Sequence, residues 1–386
     1  MRLLRMPQAP SDLCLSRHMP SPFNLPRLPL AGEPLPWSSD SFREFAAAAA
    51  LCRLDGMTEA FARRDLLCST WTLKEAQASN LIEGTATMFD EVVGAQAGVV
   101  PPLSRRDDVM EVLNCRNAMA EGISAVRGGT PITLSLIKDL HAMLLDGAGS
   151  REKKPGAFRN VQVHIGRPGA GIKHAFYIPP APLHLQKLLE NWLQFLARTD
   201  LNPLVQAAVM HAQFELIHPF TDGNGRMGRL LISLFLAMKG VLHTDCFFIS
   251  PYLLSHRADY YAALGLISRE KRWDPWISFF LTAVEEESRS NAKLLATMVG
   301  LYEESKAIFA SETKEPLAIA ILDYVFANPV FTLPKLHEEC REHISKQGMV
   351  LLIRRLEESG AIRKIEPGRG RRPALYSFTK LLELLK

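Results

Sequence analysis

Residues 218–229 constrain the fold more than any other stretch of the chain, because they place a polar turn between two apolar segments. The stretch reads His-Pro-Phe-Thr-Asp-Gly-Asn-Gly-Arg-Met-Gly-Arg. Apolar residues recur at helical spacing before it, over residues 203–217, and after it, over residues 225–238. Pro219 cannot continue the first helix, so we expect His218 at the end of that helix. The sequence therefore predicts two buried helices joined by a tight turn.

The backbone of this turn has the residue types of an anion site. Gly223, Asn224 and Gly225 tolerate positive φ, so their N–H groups can turn inward around phosphate oxygens. The next helix begins at the same point and adds unpaired N–H groups and the positive end of its dipole. Arg226 and Arg229 lie one turn apart on that helix and can grip phosphate oxygens together.

Two more side chains of the turn have catalytic potential. Asp222 is a hard oxygen ligand, which suits Mg²⁺ held through substrate phosphates. His218 has an ordinary pKa near working pH and can accept a proton from a hydroxyl. One turn thus combines a base, a metal ligand, an anion cradle and two cations.

The stretch resembles the signature of Fic-domain proteins, His-x-Phe-x-Asp-Gly-Asn-Gly-Arg-x-x-Arg, and every specified position is present. The resemblance implies transfer of AMP from ATP to a Ser, Thr or Tyr hydroxyl of a protein, which includes automodification. It implies that His218 is the general base, that Asp222 holds Mg²⁺ and that Phe220 packs beneath the turn. The implied nucleotide-binding residues are Gly223, Asn224, Gly225, Arg226, Met227, Gly228 and Arg229. Removal of AMP, another nucleotide or a phosphocholine donor remains open, because the signature specifies the phosphate grip better than the donor.

A second motif lies upstream, at the end of a helix predicted over residues 71–84. The segment from Ser79 to Glu83 and Gly84 resembles the inhibitory motif of one class of Fic proteins. The resemblance implies that Glu83 pairs with Arg229 and takes the room of the ATP γ-phosphate. A carboxylate on this guanidinium would compete with a phosphoryl oxygen for the same donors. Glu83 also needs a cation, because the negative end of a helix dipole disfavours a carboxylate.

Residues 153–180 alternate in polarity and contain glycines and prolines, which predicts a β-hairpin. The hairpin resembles the Fic flap, which docks a target segment by main-chain pairing. Val163, His164 and Ile165 would then face the target. An ordinary surface hairpin remains the alternative, because the connecting segment is long and irregular.

Three further residues have predicted places. The region around residue 261 borders the adenine in the family, so Tyr261 is a candidate for stacking on the base. For Tyr260, a place beside the base and a place in the core are equally open. His141 lies on the apolar side of its helix and is interpreted as a core histidine rather than a ligand.

We expect a mainly α protein with a Fic-type helical core and a β-hairpin flap. An extended arm rich in Pro and Ser covers residues 1–36, and a helical domain with the inhibitory motif covers residues 37–120. The Fic core is placed at residues 121–290, and a linker helix with a further domain at residues 291–386. Residues 273–312 are expected to form two helices.

The last domain resembles a winged helix, with three helices followed by a basic hairpin. The hairpin arginines could contact DNA phosphates, as could two cations on the candidate recognition helix; they are Arg369, Arg371, Arg372, Lys346 and Arg354. Glu357, Glu358 and Glu366 dilute this charge, so protein binding or dimer contacts are equally open. The competing functional hypothesis is a DNA-binding regulator whose Fic core only senses a nucleotide.

Charge and cysteine usage narrow the class of protein. The 45 basic and 41 acidic residues leave a net charge of +4, which does not indicate a nucleic-acid or membrane partner. No apolar run approaches the roughly twenty residues of a membrane span, and the basic N-terminus lacks a continuous apolar region. A soluble cytoplasmic protein is expected. The six cysteines have neither disulfide-framework nor zinc spacing and are expected to be reduced.

Overall fold

The computed structural model describes residues 21–147, 153–167, 169, 171–368, 370 and 373–386. The described chain is mainly helical, as expected. Its helices are α1 (Ser41–Glu59), α2 (Arg64–Ile82), α3 (Phe89–Gln96), α4 (Arg106–Arg127), α5 (Leu134–Leu144), α6 (Leu185–Leu196), α7 (Pro203–Ile217), α8 (Asn224–Met238), α9 (Ser250–Ser255), α10 (Arg257–Glu270), α11 (Asp274–Glu312), α12 (Glu315–Ala327), α13 (Leu333–Cys340), α14 (Lys346–Glu358) and α15 (Thr379–Leu385). Its strands are β1 (Ile165–Gly166), β2 (Ala175–Tyr177), β3 (Val330–Thr332), β4 (Arg363–Glu366) and β5 (Leu375–Ser377).

Helix α7 is the centre of the fold, because its sequence is apolar on nearly every side. It packs against α1, α6, α8 and α11, and its side chains are buried almost throughout. Its start is well defined, since the Asn202 side chain accepts a hydrogen bond from the Leu204 N–H at 2.9 Å and Pro203 takes the first position. The predicted bounds of this helix are confirmed. Helix α8 begins at Asn224, one residue before the predicted start.

Helix α2 brings the upstream motif to the centre of the molecule. It lies against α4, α8, α9 and α12. Ser79 is in its last turn, and Glu83 is its C-cap residue. The motif and the signature turn therefore meet on one side of α8.

Helix α11 is one continuous helix of 39 residues, so the prediction of two helices over residues 273–312 is wrong. Gly300 does not break it, because Met298 and Leu301 beside it are buried against neighbouring elements. Helix α1 packs along α11. The predicted domain boundaries at residues 120 and 290 fall inside α4 and α11.

The expectation that every cysteine is reduced is wrong for one pair. A disulfide joins Cys68 on α2 to Cys246, beyond the end of α8, across a sequence separation of 178. Only the tertiary fold brings these two residues together, so their spacing could not reveal the pairing. Cys52, Cys115 and Cys340 are free.

The described part of the N-terminal arm, residues 21–40, contains neither helix nor strand but is packed on the core. The Asn191 side chain on α6 exchanges hydrogen bonds with the Leu28 N–H and carbonyl, at 2.6 and 3.0 Å. The Phe23 N–H donates to the Ile178 carbonyl at 2.9 Å. The arm thus runs beside the end of β2. Residues 1–20 lie outside the described residues.

The C-terminal region contains α12, α13 and α14 followed by strands β4 and β5. Strand β3 was not expected, and it joins them in an antiparallel sheet of order β3-β5-β4. Ser345 caps α14, since its hydroxyl accepts a hydrogen bond from the Gly348 N–H at 3.2 Å. The winged-helix assignment stays a prediction, and the three arginines of the hairpin lie outside the described residues.

Across the described residues, no helix combines the length and the apolar character that crossing a membrane requires.

Candidate functional site

His218 closes α7 in a left-handed conformation, with φ of 50°, because Pro219 prevents the helix from continuing. This backbone geometry is uncommon for a residue other than glycine. It is held by Arg159, whose Nε donates to the His218 carbonyl at 2.8 Å. The Arg159 guanidinium also donates to the carbonyls of Ile217, at 3.3 Å, and Pro180, at 2.6 Å. The buried side chain of Arg159 therefore holds the C-terminal end of α7 in place.

The His218 ring is arranged as a base. Its Nδ1 lies 3.3 Å from the Glu215 carbonyl, which can only accept a hydrogen bond, so Nδ1 carries the proton. The other nitrogen, Nε2, is then the one able to accept a proton. Burial lowers the pKa of His218 to about 4. The imidazole is consequently neutral at physiological pH.

A second histidine holds the turn in shape. His141 stacks on Phe220 with ring centroids 3.6 Å apart, and neither side chain is exposed. Its Nε2 donates to the Asp222 carbonyl at 2.9 Å, while its Nδ1 accepts from the Gly156 N–H at 3.0 Å. Burial lowers the pKa of His141 to about 4, so it keeps this neutral form. The predictions of a core His141 and of Phe220 beneath the turn are confirmed.

The Asn224 side chain closes the turn rather than facing it. Its Oδ1 accepts from the Phe220 N–H at 2.8 Å, and its Nδ2 donates to the Phe220 carbonyl at 2.9 Å. Only 2% of the residue is exposed. An anion in the turn would therefore meet the Asn224 backbone, not its amide.

The glycines of the turn have distinct places. Gly223 precedes α8 with φ of 77°, a conformation that glycine adopts without strain. A Cβ at Gly225 would overlap the carboxylate of Glu83, so this glycine admits Glu83 to the start of α8. Gly228 faces α7, where a Cβ would overlap Glu215. Met227 is fully buried, and its N–H donates to the Gly223 carbonyl.

Arg229 is enclosed by the last turn of α2. Its Nε donates to Ser79 Oγ at 2.9 Å, and its Nη2 donates to the Ser79 carbonyl at 2.8 Å and to Glu83 Oε1 at 2.7 Å. Burial opposes its charge, but the carboxylate of Glu83 raises the pKa of Arg229 above its ordinary value. Arg229 thus supplies the positive charge that Glu83 needs at the C-terminal end of α2. Ser79, Glu83 and Arg229 come together as the sequence predicts.

Arg226 is also buried, with 3% of its side chain exposed. Its Nη1 donates to Glu111 Oε2 at 3.0 Å and to Asn80 Oδ1 at 3.2 Å. Both signature arginines are therefore held by the N-terminal helices α2 and α4. Their guanidinium groups are pre-positioned by residues outside the signature.

Asp222 lies between cations. Its Oδ2 is 3.2 Å from Lys153 Nζ, and its Oδ1 accepts the Gly223 N–H at 2.8 Å. Burial disfavours its ionised form, but the charges of Arg226 and Lys153 keep the pKa of Asp222 below its ordinary value. The residue is therefore a carboxylate. Lys153 also pairs with Glu111, with Nζ 2.9 Å from Oε1.

The donor set at Asp222 fits Mg²⁺ bound together with phosphates. Mg²⁺ in proteins commonly takes one or two carboxylates and completes its shell with water and substrate oxygens. Within the described ranges, no three His, Cys, Asp or Glu side chains are grouped as a metal cage. A single ionised and partly exposed carboxylate beside the glycine-rich turn suits that mode of binding.

Tyr260 and Tyr261 differ in environment. Tyr260 is 1% exposed, and its hydroxyl lies 2.9 Å from His211 Nε2, so of the two places left open by the sequence it takes the one in the core. Tyr261 is half-buried on the same helix, with the Arg257 guanidinium 5.6 Å from its ring centroid. Burial raises the pKa of Tyr261, with a further contribution from Glu83. Tyr261 thus stays partly accessible, whereas Tyr260 is enclosed.

The predicted hairpin is present but short. Strands β1 and β2 pair antiparallel, with Ile165 opposite Tyr177. Val163, His164 and Ile165 are all half-buried along its first arm. Arg159 connects this arm to His218, because its Nη1 donates to the Val161 carbonyl at 3.2 Å. The flap and His218 thus share one anchoring side chain.

Sequence reasoning missed three residues of the site: Arg159, Lys153 and Glu111. Each contacts the signature turn or its arginines through a partner at least 59 residues away in the chain. The sequence around a charged residue does not indicate a partner that lies so far away in the chain. Only the assembled structure could identify them.

Comparison with known families agrees with the resemblance that the signature indicates. Residues 131–236 match the Fic/DOC family, and residues 44–124 match the Fic/DOC family N-terminal region. The chain thus carries both the N-terminal region and the core region of the Fic/DOC family.

Two named relatives and one solved structure give the comparison more detail. Protein adenylyltransferase fic-1 of Caenorhabditis elegans is 32% identical over 138 residues, which are 34% of this chain and 23% of the relative. Protein adenylyltransferase Fic of Drosophila grimshawi is 30% identical over 185 residues, which are 47% of this chain and 34% of the relative. The chain thus spans about a third or less of the length of these relatives. A Fic family protein from Desulfovibrio desulfuricans G20 has the same fold, with a TM-score of 0.55 and 20% identity over 89% of this chain and 97% of that one.

Proposed function

We propose that this protein transfers AMP from ATP to a Ser, Thr or Tyr hydroxyl of a protein, with the protein itself among the candidate targets. The observation that carries the proposal is the neutral His218, with Nδ1 committed to the Glu215 carbonyl, at the edge of the glycine-rich turn. The relatives are named protein adenylyltransferases, which supports the same reaction.

The reaction follows from the arrangement of the chain's own groups. His218 Nε2 accepts the proton of the target hydroxyl as its oxygen forms a bond to the α-phosphorus. The bond from that phosphorus to the bridging oxygen breaks, and pyrophosphate leaves. N–H groups at the start of α8 and the arginine guanidinium groups stabilise the negative charge. Mg²⁺ at Asp222 would neutralise further phosphate charge.

Glu83 would restrain this activity. It takes a donor of Arg229 that a phosphoryl oxygen needs, and it lies against Gly225 at the start of α8. ATP would therefore bind weakly or with its phosphates displaced until Glu83 moves. Ser79 supports the same arrangement, because it binds two further donors of Arg229.

The flap would present the target to this centre. Val163, His164 and Ile165 lie on the arm of the hairpin that Arg159 ties to His218. The Phe23 backbone is bonded beside the other arm, at Ile178. A target strand would accordingly pair along the arm of β1, in the strand-addition mode. Tyr261 would stack on the adenine.

Transfer of label from ATP tests the proposal. Glu83→Gly protein incubated with Mg²⁺ and ATP labelled at the α-phosphate should become labelled, alone or with a cell lysate. The Glu83→Gly, His218→Ala protein should not, whereas the Glu83→Gly, His184→Ala control, which changes an exposed histidine, should label normally. Label arriving from the γ-phosphate instead would mean phosphoryl transfer and would overturn the proposal.

A further inference from the structure

Lys153 occupies the side of Asp222 that a metal ion would need. Its Nζ is 3.2 Å from Asp222 Oδ2, and the other oxygen of that carboxylate already accepts the Gly223 N–H at 2.8 Å. Arg226 Nη2 adds a second cation 3.8 Å from Oδ1. Both oxygens of Asp222 are therefore engaged by groups of this chain.

Glu111 is a second acceptor for the ammonium of Lys153, which contacts both carboxylates at once. Its Oε1 lies 2.9 Å from Lys153 Nζ, which is closer than Asp222 Oδ2 is. Its Oε2 pairs with Arg226 Nη1 at 3.0 Å, so Glu111 itself is held in place. Lys153 is about one-third exposed, with 32% of its side chain accessible, and its flexible stem can swing without opening the core.

Two cations cannot share one carboxylate oxygen without strong mutual repulsion in a partly buried site. We propose that Lys153 is the resident counter-cation of the metal site and excludes a divalent cation from Asp222 until its ammonium moves away from Asp222 and stays paired with Glu111 alone. Nucleotide phosphates supply the negative charge that makes room for both cations. Lys153 thereby couples metal binding to nucleotide binding. This inference rests on the proposed role of Asp222 as metal ligand.

Titration of the full-length protein with Mn²⁺, followed by the electron paramagnetic resonance signal of free Mn²⁺, tests the inference without any turnover. Lys153→Met should bind Mn²⁺ about tenfold tighter than the parent in the absence of nucleotide, because one nearby positive charge is lost. Lys153→Gln, which keeps a donor between the two carboxylates, should show the same tightening. Lys154→Met is the matched control, since it removes the same charge from a lysine that bonds Asn160 instead, and it should bind like the parent.

The outcomes separate this inference from the proposed function. If both Lys153 variants bind Mn²⁺ no more tightly than the parent, while Asp222→Asn abolishes binding, the counter-cation role is refuted and the metal ligand stands. If Asp222→Asn binds Mn²⁺ as well as the parent, the metal assignment in the proposed function fails. A non-hydrolysable ATP analogue should reduce the difference in Mn²⁺ affinity between Lys153→Met and the parent. An unchanged difference in affinity would refute the coupling to nucleotide.

Discussion

Glu83 Oε1 accepts a hydrogen bond from Arg229 Nη2 at 2.7 Å, although 146 residues separate the two in sequence. Arg229 is 2% exposed, so its charge depends on this carboxylate and on the oxygens of Ser79. All of these contacts come from the end of α2. Any movement of the end of α2 would therefore change the hydrogen bonds and the charge pairing of Arg229.

Replacing Glu83 by glycine should raise AMP transfer roughly 10- to 100-fold, which corresponds to one charge-assisted hydrogen bond. Glu83→Gln should give a smaller increase, because an amide still binds Arg229 but without charge. Glu59→Gly removes an exposed glutamate from the end of α1 and should leave the rate unchanged. The measurement is initial incorporation of α-labelled ATP, and equal rates for parent and Glu83→Gly would contradict the restraint.

The low pKa of His218 predicts a flat pH profile for the Glu83→Gly protein. A base with a pKa of about 4 is almost fully neutral at pH 5.5, so transfer at saturating ATP should fall less than about twofold between pH 8 and pH 5.5. The ordinary value of 6.5 would cause a roughly tenfold loss over the same range. Initial rates across this range decide between the two, and a half-maximal rate near pH 6.5 would show that His218 is not desolvated.

Replacing His141 by phenylalanine keeps the stack on Phe220 but leaves the Asp222 carbonyl and the Gly156 N–H unpaired. At pH 7 this should cost about 2 to 4 kcal/mol of unfolding free energy. The pKa of His141 is about 4 in the folded protein and 6.5 in the unfolded chain, so protonation favours the unfolded chain. The parent therefore loses stability as pH falls from 6.5 towards 4. The variant has no histidine at this position and does not lose it. The difference between the proteins should therefore be about 2 kcal/mol smaller at pH 5.

Urea denaturation at both pH values measures this difference. His184→Ala alters an exposed histidine and should stay within about 0.5 kcal/mol of the parent at each pH. A cost for His141→Phe that grows on acidification would reverse the sign and exclude a neutral buried His141.

The disulfide between Cys68 and Cys246 should survive alkylation of the unreduced, denatured protein and be recovered as one linked peptide pair. Because it closes a long loop in the unfolded chain, reduction should lower the unfolding free energy by about 2 to 5 kcal/mol. Cys52→Ser, which changes an exposed free cysteine, should not alter stability. Alkylated Cys68 and Cys246 in the unreduced protein would refute the bond.

Local patterns predicted much of the fold. Both the bounds of α7 and the turn beginning at Pro219 follow from short-range preferences. The single helix α11 did not, because glycine lowers helix propensity only modestly and long-range packing outweighs it. The disulfide and strand β3 were missed for the same reason, since their partners lie far away in sequence.

The sequence by itself determined the chemistry of the turn, because the residues from His218 to Arg229 are contiguous and their φ preferences, charges and proton affinities act locally. It also indicated Glu83 through a short motif. Only the tertiary structure decided that Lys153 pairs with both Asp222 and Glu111, that Arg159 anchors His218, and that His141 and Asn224 hold the turn from its buried side. These contacts join side chains from separate elements, and their free energies arise from burial and charge pairing that exist only after the helices have packed.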